Sequence, residues 1–451
     1  MRTFSTNLYI YIVGIILSIV IGWSTSLLKV NDFSFLLFLA ILIIMAILLF
    51  SFYYSSANSV NFDVFHPFNF IILSYMYLYI FPFFYNISFD YNFGLGSHIL
   101  SSDEVLRGFF LILTSLILFI LGYVFCGLTR IKSKGLNLNL NEKKLNLSVV
   151  LLTCIGIISY SYIIIKLGGF GTILNNYYQI KQLLSGMNYF VWGVELFLIG
   201  SVLLLLKKNP NIYFVFIHFT FGLVIISTLG GRGKVIYFLL LFLVVYHYKF
   251  KQIKFIKAFF LLVSLVIMVG YFYVFRILSA QQSSVMGIRD FFDIWLGGSE
   301  FKMIDMFMLV VRDVGDVYPF HYGKDFLNIF TSFIPRSLWI NKPVSIDEHL
   351  VGFYIPLREA GIPPTLPGTL YYNFGIFGIL IGMFIFGLLT RYIYMKIQGG
   401  NLSPLIYGVF IVVLWDYLRV GDATHTAMFS MRIIIPLFIT LYFCNRRIIK
   451  N

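Results

Sequence analysis

The stretch GFFLILTSLILFILGYVFCGLT, residues 108–129, followed at once by Arg130, Lys132 and Lys134, decides the class of fold. It contains no charged side chain. About 20 apolar residues, at roughly 1.5 Å of helical rise each, cover a hydrocarbon core about 30 Å thick. Cations placed just beyond such a run mark its cytoplasmic end. Working outward in both directions, comparable runs recur near 7–28, 33–54, 68–85, 147–167, 188–206, 211–229, 233–248, 256–277, 367–389, 403–419 and 428–444. The pattern predicts an all-α fold, a polytopic membrane helical bundle of about 12 transmembrane helices, with 1–451 as a single membrane domain.

Composition leads the same way. Of 451 residues, 59% are hydrophobic and 12% charged, and the mean hydropathy is +0.89. Soluble domains carry about 25% charged residues, so a soluble reading is excluded. The first run, 7–28, lacks a small-residue cleavage site and reads as an uncleaved span.

An even number of crossings puts both termini on one side. Loops and span ends on that side carry 17 Lys and Arg, against 7 in the short loops and span ends opposite. The positive-inside rule then gives N-in and C-in. The net charge of +14 therefore faces the anionic inner leaflet. Membrane lipid is the partner this implies, and nucleic acid is not. The expected location is the bacterial inner (cytoplasmic) membrane, with the chain passing through it many times.

Residues 278–366, between the ninth and tenth spans, form the one large outer loop. The segment is too polar to span, and too rich in Phe, Trp, Ile and Met to be disordered. Within it Phe301–Val311 and Lys324–Phe333 read as interfacial helices. Cys126, Cys154 and Cys444 fall near cytoplasmic helix ends and read as small buried hydrophobes.

Basic residues at membrane depth or at the outer face are expensive and mark function. Arg232 lies in the tight outward hairpin Ser227-Thr228-Leu229-Gly230-Gly231-Arg232-Gly233-Lys234. Arg276 ends the ninth span, Arg289, Arg312, Arg336, Lys342 and Arg358 lie in the large loop, Arg419 ends the eleventh span, and Arg432 lies inside the twelfth. Such a field suits an anionic ligand, and a guanidinium grips phosphate through two hydrogen bonds. The short spans around Arg232 place it slightly below the outer surface, where a lipid-borne phosphate lies.

Acidic residues inform by their spacing. No two of the 19 Asp and Glu are two residues apart, so there is no D-x-D, and the first outward loop, Lys29–Asp32, holds a single acid. The seven histidines show no ligand spacing. No metal and no other cofactor is expected. Candidate general bases cluster in the large loop. Glu348 and His349, with Asp347 beside them, and Asp313 are the leading catalytic candidates; Glu300, His321 and Glu359 are further ones.

Several motifs together resemble the O-antigen polymerases, or oligosaccharide repeat unit polymerases. They are His66-Pro67-Phe68 before the third span, the Gly230-Gly231-Arg232-Gly233 hairpin, Ile334-Pro335-Arg336-Ser337-Leu338-Trp339-Ile340-Asn341-Lys342-Pro343, and Gly368-Thr369-Leu370-Tyr371-Tyr372-Asn373-Phe374-Gly375-Ile376-Phe377-Gly378. Arg419 after an apolar span matches in position. Relatives often carry Glu where this chain has Thr369.

The resemblance implies a metal-independent membrane glycosyltransferase. It would act on two undecaprenyl-diphosphate-linked oligosaccharides at the periplasmic face. The growing chain leaves its carrier as a hydroxyl of the incoming unit attacks its anomeric carbon. Arg232, Arg276, Arg312, Arg336 and Arg419 would then bind diphosphate, and Trp339, Tyr371 and Tyr372 would stack on sugars. A chain-length regulator protein is an implied partner. Two alternatives share part of this pattern, an O-antigen ligase and a lipid-linked oligosaccharide flippase. Flippases usually show internal repeats and lack a large outer loop, the reverse of this chain.

Overall fold

A computed structural model of the chain describes residues 63–88, 92–127, 137–176, 179–230, 232–253, 301–331, 345–355, 361–398 and 400–445, with isolated positions elsewhere. The expected span 7–28, most of 33–54 and of 256–277, and the loop residues 278–300 and 356–360 lie outside the described residues. So do Arg276, Arg289, Arg336, Lys342 and Arg358.

The described chain is mostly helical. Among the described residues six helices are long and apolar enough to cross a membrane: Pro67–Ile87, Ser102–Cys126, Glu142–Lys166, Thr365–Ile397, Ser403–Val420 and Ala423–Cys444. Asn188–Leu204 and Ile212–Thr228 are shorter apolar helices, and Arg232–Lys249 is a further helix. Residues fall into two compact units. One contains Met1–Ser133, Leu296–Lys396 and Val413–Met428; the other contains Lys134–Trp295, Ile397–Val412 and Phe429–Asn451.

In the first unit Ser102–Cys126 is the core. Ser101 starts it with a capping box: its side chain accepts from the Glu104 N–H, and the Glu104 carboxylate accepts from the Ser101 N–H at 2.7 Å. Asp103 and Glu104 sit in the first turn, where the helix dipole favours negative charge. Nearly every residue from Val105 to Val124 is buried, so the helix is surrounded by protein. Phe109 stacks on Phe83 of Pro67–Ile87 at 3.6 Å between centroids, and the Tyr75 hydroxyl meets Ser115 Oγ at 2.9 Å. Met303–Asp313, expected to lie along the interface, is instead buried on almost every side, with only Arg312 partly exposed. Apolar residues stand all round it, including Met303, Ile304, Met306, Phe307, Met308 and Leu309, so no single face is left for lipid headgroups.

The Thr365–Ile397 helix is broken at Gly375, whose φ of 61° and ψ of −148° are open essentially only to glycine. The expected single span at 367–389 therefore straddles a break. The 22 residues of 376–397 suffice to cross by themselves, at about 33 Å. A Cβ at Gly378 would run into the Leu370 carbonyl, so the two halves pass very close after the turn. Breaking a helix frees backbone carbonyls, and at membrane depth these must find partners within the protein. Here they do: His321 N–H donates to the Tyr372 carbonyl and Tyr322 N–H to the Asn373 carbonyl, both at 3.1 Å. The Asn373 side chain accepts from Gly323 N–H at 2.8 Å.

The second unit is built on Glu142–Lys166, capped by Asn141, packed against Asn188–Leu204. The closest approach of the two helices is made by small residues: a Cβ at Gly156 would press on Phe197 and one at Gly193 on Ser159, while Leu145, Val149 and Ile163 are buried on the same helix as Gly156. The opposite face exposes Leu147, Val150, Leu151, Ile158 and Ile165. Small residues at the closest helix contact and large apolar residues on the outward face are the pattern for a helix whose solvent is lipid. Ile212–Thr228, capped by Asn211, and Arg232–Lys249 complete this group.

Candidate active site

The polar groups of the first unit gather on the short segments that follow and precede its long helices. The break at Gly375 is what docks the 321–325 turn, and the side chains on the two sides of that dock connect. His321 Nε2 lies 2.8 Å from the Tyr372 hydroxyl, and the same hydroxyl lies 2.7 Å from His349 Nδ1 on the Ile346–Tyr354 helix. The other His321 nitrogen, Nδ1, is 3.3 Å from Asp325 Oδ1. Asp325 Oδ2 accepts from Asn373 Nδ2 at 2.9 Å, and Asn373 Nδ2 also donates to the Thr369 carbonyl at 2.9 Å. Burial, and then the neighbouring His321, hold the His349 imidazole below its usual pKa; Asp325 opposes them.

A second group sits at the end of Ser403–Val420 and the start of Ala423–Cys444. Asp416 is fully buried; it accepts from the Thr426 hydroxyl at 2.7 Å and lies 3.3 Å from His425 Nδ1. Asp422 caps the next helix, accepting from Thr424 N–H at 2.7 Å and His425 N–H at 3.2 Å. Burial pushes its carboxyl up; those two bonds oppose the rise, and the charge of Asp347 adds to it. The Thr424 hydroxyl lies 3.5 Å from the Asp325 carbonyl, which ties this turn to the histidine cluster.

The residues singled out from sequence divide between these groups and elsewhere. His349 is part of the connected cluster. Glu348 is on the same helix, but its side chain lies outside the described residues. Asp313 is occupied: Arg312 donates to both its oxygens, at 2.6 and 2.9 Å, and the Tyr354 hydroxyl donates at 3.0 Å. Burial and that carboxylate hold the Tyr354 phenol well above its usual range. Arg312, expected to reach diphosphate, spends its remaining Nη1 on the Ile99 carbonyl at 3.3 Å. Arg419 stands in the last turn of its helix near His425. Arg232 opens the Arg232–Lys249 helix, its side chain outside the described residues.

Trp339 is partly exposed, while Tyr371 and Tyr372 are buried at 5% and 1% exposure. The Tyr372 ring thus has no open face for a sugar, and its hydroxyl is already taken by two imidazoles. Asp325, Asn373, Asp416 and His425 were not singled out for chemistry. The spacing of His321 and Asp325 by four was the available signal; the two meet because the turn through Tyr322 and Gly323, both with positive φ, brings His321 onto the first turn of the Lys324–Thr331 helix. Among the described residues no group of three or more His, Cys, Asp and Glu is arranged to hold a metal ion.

The second unit holds a smaller charged group on its apolar helices. Lys234 Nζ lies 2.5 Å from the buried Glu195 carboxylate, and the Arg432 guanidinium stands 4.4 Å over the ring of Trp192, one turn before Glu195.

Comparison with known proteins gives one positive finding. The family model described as "Putative O-antigen polymerase" matches residues 63–422. No curated protein and no solved structure matches the chain. The matched residues take in the whole histidine cluster, the broken helix and the Asp416–Asp422 turn. Apolar helices of spanning length and a model covering most of the sequence agree: this chain is a multi-pass membrane protein of the O-antigen polymerase family.

Proposed function

We propose that this protein polymerises lipid-linked oligosaccharide repeat units into O-antigen, or a similar surface polysaccharide, at the periplasmic face of the inner membrane. The donor is a glycan on undecaprenyl diphosphate and the acceptor a second lipid-linked unit. The acceptor hydroxyl attacks the anomeric carbon, the bond to the diphosphate breaks, and the diphosphate leaves with the electron pair. The chain crosses the membrane twelve times with both termini inside, and 278–366 lies outside. The observation that carries this reading is the family match over 63–422, with a connected set of ionisable side chains inside it.

The leaving diphosphate needs fixed positive charge. Arg232 is the leading candidate, with Arg276, Arg336 and Arg419 in support; Arg312 could join only by giving up part of its bond to Asp313. Arg232 is the first residue of a helix, where the dipole already repels a cation and an anion would relieve the repulsion. A chain-length regulator protein acts alongside.

The test is the lipopolysaccharide ladder. A strain lacking the protein should cap its lipid A-core with one repeat unit, and the wild-type gene should restore long chains. Arg232→Ala should insert at normal abundance yet give the single-unit phenotype, with Arg232→Lys recovering part of the ladder because its point charge lacks the bidentate fork. Uncapped core in the deletion strain would point to a ligase, and a normal ladder from the alanine variant would remove Arg232 from the site. For the purified protein, chelators should leave polymerisation intact, since arginines supply the charge that a metal would. Complete loss restored by a divalent cation would overturn that part.

A further inference from the structure

The hydrogen-bond chain around Tyr372 has a direction. Asp325 offers only acceptors when ionised, and its second oxygen already accepts a hydrogen bond from Asn373. The contact from Asp325 Oδ1 to His321 Nδ1 therefore requires the proton on His321 Nδ1. That leaves His321 Nε2 as an acceptor, so the Tyr372 hydroxyl, 2.8 Å away, must donate to it. The hydroxyl proton is then spent. Its oxygen can only accept from His349 Nδ1 at 2.7 Å, which places the His349 proton on Nδ1. His349 Nε2 is left with a bare lone pair and, among the described residues, no partner. His349 is partly exposed, unlike Tyr372 and Asp325.

We infer that His349 is the general base that takes the proton from the attacking sugar hydroxyl, and that Tyr372, His321 and Asp325 are positioning residues that form a proton relay behind it. This rests on the glycosyl-transfer reading above. The acceptor oxygen bonds to the anomeric carbon as its proton passes to His349 Nε2. The Nδ1 proton of His349 moves to the Tyr372 oxygen, and the tyrosine proton moves to His321 Nε2. The bond between the anomeric carbon and the diphosphate breaks, and the diphosphate carries away the electron pair. The positive charge ends on His321 beside the Asp325 carboxylate, where it is best stabilised, rather than on His349 beside the substrate. After product release the relay runs backward and returns the proton to water through His349. The arrangement explains why Tyr372 is buried in an element that otherwise looks built for sugar contact.

The groups that face His349 are His321 and Asp325 from the 321–331 segment and Tyr372 from the 365–397 helix. The base works only when unprotonated, so kcat/KM should fall as pH drops and His349 takes up a proton. Burial and the second imidazole lower the pKa of His349, against the opposing charge of Asp325, so activity should persist below the ordinary histidine value of about 6.5. Cutting the link to Asp325 removes the stabilisation of the protonated state, so the acid limb should move to still lower pH.

The experiment uses the full-length protein in lipid nanodiscs with the undecaprenyl-diphosphate-linked repeat unit isolated from a strain lacking it. Wild type must first elongate that substrate; failure there overturns the glycosyl-transfer reading, an outcome distinct from any result on the variants. Given an active wild type, His349→Gln should lower kcat by roughly 10²–10⁴-fold with little change in KM. Tyr372→Phe keeps the ring and removes only the relay oxygen. It should lower kcat by roughly tenfold and shift the acid limb of kcat/KM downward, as should Asp325→Asn. His349→Gln retaining wild-type kcat would overturn the base assignment. Tyr372→Phe with an unmoved acid limb and unchanged kcat would overturn the relay.

Discussion

Gly375→Ala should lower stability by about 2 kcal/mol and polymerisation by at least about tenfold. The backbone at Gly375, with φ 61° and ψ −148°, is a conformation L-residues avoid at a cost of roughly 1–3 kcal/mol. A Cβ there would also sit 3.2 Å from the Phe320 ring, tighter than comfortable contact. The effect on activity comes from the work of the break. It turns the Tyr372 and Asn373 carbonyls away from the helix and toward the N–H groups of His321 and Tyr322. If alanine restores helix through 375, those carbonyls return to the helix and the turn bearing His321 and Asp325 loses its dock. A displacement of about 1 Å at a reacting group is enough for a hundredfold loss. The measurement pairs thermal unfolding in detergent with in vitro elongation. Wild-type values of both would show that the break is not needed.

Lys234→Met should be the most damaging single change in the second unit. Lys234 is the ion-pair partner of Glu195, whose side chain is 3% exposed. Removing one member of a buried pair leaves the other charge poorly compensated, at a cost of roughly 3–5 kcal/mol. We expect about 3 kcal/mol, toward the low end, because the Lys234 side chain is itself 25% exposed and the Arg432 guanidinium still acts on the Glu195 charge. The double variant Lys234→Met with Glu195→Gln should recover most of the loss, since neither charge then remains. Unfolding temperature across the four-protein cycle measures this. Equal destabilisation in the single and double variants would show that the two residues act independently.

Much of the helical layout can be read from the sequence. Hydrocarbon requires each crossing segment to be apolar along its own length and to close its hydrogen bonds within itself, which is a local demand. The runs at 68–85, 108–129, 147–167, 403–419 and 428–444 accordingly coincide with long helices at Pro67–Ile87, Ser102–Cys126, Glu142–Lys166, Ser403–Val420 and Ala423–Cys444. The run at 367–389 is the exception. Hydropathy responds to side chains and not to φ, and glycines are common in spanning helices, so Gly375 looked like one more small residue within a span.

The chemistry was only partly legible, and the reason is distance along the chain. His349 stood out because Asp347, Glu348 and His349 are adjacent, and the resemblance to O-antigen polymerases drew attention to the Tyr-Asn-Phe-Gly element. Nothing local joins His349 to Tyr372, 23 residues on, or Tyr372 to His321, 51 residues back. Arg312 shows the opposite case: the sequence makes it a free cation in an outer loop, while the fold turns it onto its own neighbour Asp313. The sequence by itself determined that this protein lives in a membrane, where most of its helices run, and which family it joins, because each depends on composition or short motifs. Only the tertiary structure decided which polar side chains meet, because that depends on a helix breaking at one glycine and presenting two freed carbonyls to a turn some 50 residues away.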